Sequence, residues 1–141
     1  MSFLDCQIKV TENLAVNFTQ FIPEAVLVPV TEFKDVKDVR VFTIPFESVI
    51  TLFSRSKTEK IYTIQIGVIQ KVNSANPATD VLDLVEEIVE NFHDKNLPEG
   101  IDPPLYIAAG LKNIPFYDYE NLDEDRVIVS VVQVDYKEYV S

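Results

Sequence analysis

The chain holds one histidine, His93, and one cysteine, Cys6. Any nucleophilic chemistry needs a base within reach of a thiol or hydroxyl, so both would have to meet. Cys6 falls on the apolar stripe of an N-terminal segment and His93 at the end of a later candidate helix. The ordinary reading is a core thiol and a cation favoured by a helix C-terminus. Glu90-Asn91-Phe92-His93 has the Glu-x-x-His spacing of carboxylate-bridged di-iron bundles. Those centres draw on a second such motif, and no second histidine exists. Gly67, Gly100 and Gly110 are too scattered to cradle a phosphate. Asp118, Glu120, Asp123, Glu124 and Asp125 gather closely, without the Asp-x-Asp-x-Asp-Gly pattern of a calcium loop. No catalytic residue, metal ligand or cofactor site is expected.

Two charged groupings remain. Arg55, Lys57 and Lys60 surround the turn expected between two β-rich runs. They either keep an exposed tip soluble and blunt its edges or form an arm that docks on an acidic neighbour. Asp83, Glu86, Glu87 and Glu90 line one side of a helical pattern. They form a solvated face, or with Asp123, Glu124 and Asp125 a surface turned toward a partner. Asn17-Phe18-Thr19 fits a glycosylation acceptor, which needs a secretory route to be used.

The elements that position these residues follow from length and pattern. At 141 residues and 47% hydrophobic composition, one domain with a real core is expected over 1–141. No apolar run approaches the ~20 residues of a membrane span, and the N-terminus carries an early acid rather than a basic leader. The net charge of −11 opposes binding to phosphate backbones and anionic lipid. A single cysteine makes no internal disulfide, as suits a reducing cytosol.

Residues 2–21 carry Cys6, Val10, Leu14 and Phe18 at helical spacing. Residues 25–33 are β-rich, demoted to an edge or bulged strand by Pro29. A polar turn at 34–38 leads to a strand at 39–44, closed by Pro45. Residues 48–54 and 60–72 then read as a hairpin with a protruding tip around 54–60. On its second strand Tyr62, Ile64, Ile66, Val68 and Val72 face one way, and Thr63, Gln65, Gly67 and Lys71 the other, interrupted by Ile69. Asn76 and Pro77 open the best helix, 77–93, with a stripe of Val81, Leu84, Val85, Ile88, Val89 and Phe92. Residues 96–104 are a loop, 105–109 a short strand, 113–125 a packed loop and 126–140 a long central strand. The expected fold class is α+β: a mainly antiparallel sheet of four to six strands with two helices on one face.

Ser54-Arg55-Ser56, KIYTIQIGVIQKV, NPATDVLDLVEEIVENF and the final RVIVSVVQVDY together resemble small neck and tail-completion proteins of tailed bacteriophages, tail terminators above all. The resemblance covers roughly residues 36–140. It implies a structural virion protein that forms a homo-oligomeric ring, commonly hexameric. Such a ring caps the tail tube, joins it to the connector of the head and lets DNA pass without specific binding. The implied location is the neck of the virion, and the host cytoplasm during assembly. Arg55, Lys57 and Lys60 are then the expected subunit or tail-tube contact, and the acids of 83–90 and 123–125 candidates to face the lumen or a partner. Head-completion and adaptor proteins of the neck share this size and architecture. Two rivals of other classes are an acidic DNA mimic that occupies a basic host protein, and a small enzyme.

Overall fold

The computed structural model describes residues 2–27, 39–52, 55–72, 78–101, 103–120 and 126–140. The order is α1 (Ser2–Asn17), β1 (Glu24–Ala25), β2 (Arg40–Leu52), β3 (Thr58–Val72), α2 (Ala78–Phe92), β4 (Ile107–Glu120) and β5 (Arg126–Val140). They build one five-stranded sheet in the order β1-β2-β3-β5-β4. The fold is α+β, as its periodicities predict.

The sheet is laid down by alternation. On β3, Tyr62, Ile64, Ile66 and Val68 are buried against the helices. Val132, Val134 and Tyr136 of β5 and Val41 of β2 share that face. Cys6, Val10 and Leu14 of α1 and Leu84, Val85, Ile88 and Phe92 of α2 close the same core, so both helices cover one face. Burial of apolar side chains of this size stabilises by ~1.5–3 kcal/mol each. The opposite face carries a smaller cluster of Phe42, Ile44 and Ile69. Ile69 therefore does not break the alternation; its own face has a core. There Gly67 lies under the Phe42 ring, where a Cβ would come 2.3 Å from Phe42 Cζ.

Several boundaries differ from the sequence reading. Residues 18–21 lie beyond the helix, yet Phe18 and Phe21 stay buried and stack at 5.5 Å. The stripe continued because the chain keeps packing after the helix ends. The strand expected at 25–33 is only Glu24–Ala25 within the described residues, and it pairs parallel to β2. Pro29, the turn at 34–38, and Asn76 and Pro77 fall outside them. Pro45 does not close a strand: β2 runs through it, with a register shift between Pro45 and Glu47. Among the described residues β1 pairs only with Phe42 and Thr43, and no ladder partner there needs the missing N–H of Pro45. Asn113–Glu120 is not a loop but the second half of β4, paired with β5 through two register shifts. Bulges admit Pro115 on an edge strand. The long strand 126–140 is central, as expected, between β3 and β4.

Candidate functional site

β2 and β3 form the expected hairpin, paired from Arg40↔Ile69 to Leu52↔Thr58. Arg55 and Lys57 are exposed in its turn. Lys60 is different: it sits half-buried within β3, across from Ile50 on one side and Glu138 on the other. The expected basic cluster is thus two tip residues and one ladder residue. The strand leading to the tip is unusually apolar for its exposure. Val49, Ile50 and Leu52 are 44%, 66% and 77% exposed.

Asp83, Glu86, Glu87 and Glu90 are all exposed, on the side of α2 away from Leu84, Val85 and Ile88. Asp83 and Glu87 flank a shallow groove lined also by Gln20, Val39 and Gln70. Asp123, Glu124 and Asp125 lie outside the described residues. Asp118 and Glu120 pair, by backbone, with Ile128 and Arg126. This places them at the end of the sheet where Val72 meets Arg126, opposite to the end where Thr58 meets Val140. The basic tip and the acidic end of β4 are therefore held at opposite ends of one sheet. Complementary contact between them requires a second molecule.

Cys6 is buried, and its thiol is pushed up, first by desolvation and then by Asp5 and Glu138. A thiol held protonated is a poor nucleophile. His93 is exposed, with Asp94 3.5 Å from Nδ1. Among the described residues, no three metal-ligating side chains gather, and Glu90-x-x-His93 has no companion motif.

Sequence reasoning missed the polar groups that join α1, α2 and the strands to one another. The Tyr106 hydroxyl donates to Asp5 Oδ2 at 2.5 Å, and the Tyr62 hydroxyl to Glu138 Oε1 at 2.9 Å. Phe3 stacks on Tyr62 with ring centroids 5.4 Å apart, and Tyr106 meets Tyr62 edge-on at 6.2 Å. Burial, followed by the Asp5 contact, pushes the Tyr106 phenol up. Tyr136 is also pushed up by burial, and its hydroxyl is buried with no hydrogen-bond partner. Gln7 is buried too, and its Nε2 donates to the carbonyls of Val26 and Thr43 at 2.8 and 2.9 Å. At the other end of α1, Asn13 Oδ1 accepts from Asn91 Nδ2 of α2 at 2.8 Å and from Asn17 Nδ2 at 3.1 Å. The only signal for these roles was a polar residue interrupting an apolar stripe. These groups hold the scaffold, and Asn13 also lines an open cleft with Lys9, Glu12, Leu97 and Glu99.

No family model matches the chain, and no curated protein matches it in sequence.

Proposed function

We propose that the protein is a ring-forming structural subunit of a tailed-phage neck, a tail terminator that caps the tail tube and joins it to the head connector. The observation that supports this reading is the hairpin. Two bases stand exposed at the tip of a long β2–β3 ladder, in a chain of net charge −11. A charged tip in an acidic chain suits head-to-tail contact between copies, and heterologous contacts of this kind close into rings. The motif resemblance over residues 36–140 supplies the biological setting.

The function resides in surfaces. Arg55 and Lys57 steer and orient docking, since charges at a rim contribute specificity and on-rate more than affinity. The negative charge keeps passing DNA from being gripped. The test is the double variant Arg55→Ala/Lys57→Ala. It should keep the wild-type circular dichroism and melting profile and lose addition to purified tail tubes, read by sedimentation. Normal joining by that variant would sink the docking role. A wild-type protein that ignores tail tubes and connectors but binds a basic host protein, with steep salt dependence, would replace this reading with the DNA-mimic one.

A further inference from the structure

The two long edges of the sheet are unlike each other. β4 is guarded. Leu97 exchanges both backbone hydrogen bonds with Tyr106 at 2.9 Å, and Asn96 Oδ1 accepts from the Ala108 N–H at 2.9 Å. Further along, Pro115 brings no N–H to the edge and a register shift follows between Ile114 and Tyr117. This leaves an open window over residues 109–114. β2 has none of these guards past Pro45. Among the described residues its outer side is paired only at Phe42 and Thr43. Residues 46–52 form an open run with Phe46, Val49, Ile50 and Leu52 exposed. A long apolar edge of this kind is a template for another strand.

We propose that the β2 edge of one copy pairs with the β4 window of a second copy, in antiparallel register with Val49 opposite Lys112. This deepens the ring reading and rests on it. Three features of the sheet select that partner and that register.

The first is direction. β2 pairs antiparallel to β3, β3 to β5 and β5 to β4. Three reversals make β4 run opposite to β2. Copies set side by side in the same orientation, as a cyclic ring requires, therefore present β4 antiparallel to the neighbour's β2.

The second is stagger. Within one chain a single row crosses the sheet through Val49, Ile61, Lys137 and Ile107. Lys112 lies on the row of Gln133, on the same face and four β5 residues away from Lys137. Pairing Val49 with Lys112 thus shifts the register by that amount for every four strands. With a rise of ~3.3 Å and a strand spacing of ~4.8 Å, the strands tilt by about 35°. Closed sheets tilt by roughly 35–45°. Pairing Val49 with Gly110 instead, the next position on that face, halves the stagger and gives only about 19° by the same spacings. In the selected register Phe46 meets Pro115, so both windows end together, next to where β1 takes over the edge.

The third is charge. The same register carries Arg55 and Lys57 beside the neighbour's 98–105 loop. That loop holds Glu99, which also pairs with Lys95 of its own chain, and its Ile101 and Leu105 are exposed.

The test is disulfide trapping. Val49→Cys/Lys112→Cys should give, on mild oxidation, a ladder of crosslinked multimers that stops at the mass found by light scattering. Val49→Cys/Asn113→Cys, which turns the second thiol to the opposite face, should give none. The native thiol is buried in both. Ile50→Lys/Leu52→Lys changes only exposed side chains, so it should stay folded and be at least tenfold more dissociated. A ring that forms without the Val49–Lys112 crosslink, and survives Ile50→Lys/Leu52→Lys, overturns the edge pairing and leaves the tail-capping reading standing. A crosslinked ring that ignores tail tubes supports the edge pairing and overturns the capping. A species monomeric both in solution and on tail tubes overturns both.

Discussion

Tyr136 and Tyr106 are two buried tyrosines whose conversion to phenylalanine should move stability in opposite directions. Tyr136 is 1% exposed, its hydroxyl has no partner, and burying such a group unpaired costs ~1–3 kcal/mol. Tyr136→Phe keeps the ring and removes that cost, so the variant should be more stable by about 1 kcal/mol. Tyr106 is buried too, but its hydroxyl donates to the Asp5 carboxylate. A hydrogen bond to a charged group contributes ~1.5–3 kcal/mol. Asp5 is half-exposed, so water recovers part of it, and Tyr106→Phe should lose about 1.5 kcal/mol. Urea unfolding read by circular dichroism resolves both, at unchanged slope. For a chain of this length 1 kcal/mol moves the melting temperature by about 4 °C. A Tyr136→Phe variant destabilised by more than about 1 kcal/mol would show that the hydroxyl is satisfied, refuting the reasoning.

Other expectations follow from the same packing. Cys6, Tyr106 and Tyr136 all hold their protons more tightly folded than unfolded. The folded state therefore binds more protons, and stability, complete below about pH 8, falls as pH rises, by ~1.4 kcal/mol per pH unit for each group once it titrates in the unfolded chain. Urea midpoints between pH 8 and 11 check this, and Tyr136→Phe should flatten the upper part. Gly67→Ala should cost about 1–3 kcal/mol because its Cβ meets the Phe42 ring, and Phe42→Leu should recover much of that loss in a double-mutant cycle. Gln7→Leu strands the Val26 carbonyl and takes one of two donors from the Thr43 carbonyl, which keeps the Val26 N–H, and should cost about 1–3 kcal/mol, with faster amide exchange across β1. Arg55→Ala/Lys57→Ala should shift the urea midpoint by no more than about 0.5 kcal/mol equivalent, because both sites are exposed.

Periodicity alone determined most of the architecture. The alternation of β3, the apolar stripe of α2 and the uniform apolar run of β5 each state which sides are buried, because side-chain direction repeats every two residues in a strand and every 3.6 in a helix. The basic tip was legible for the same reason: Arg55 and Lys57 lie between two alternating runs. What periodicity does not encode is the neighbour. Whether Pro45 ends a strand depends on whether its outer side needs a ladder partner, and among the described residues β1 reaches only Phe42 and Thr43. Whether 113–120 is loop or strand depends on β5 lying beside it and on bulges that accommodate Pro115. The Tyr106–Asp5 and Asn91–Asn13 bonds join residues 101 and 78 positions apart, a distance over which no local pattern carries information. Only the folded sheet decides that the basic tip and the acidic end of β4 point apart, and that β2 and β4 present opposite, antiparallel edges. The physical reason is that strand order and register are set by packing the two helices on one shared face, a property of the whole chain rather than of any segment.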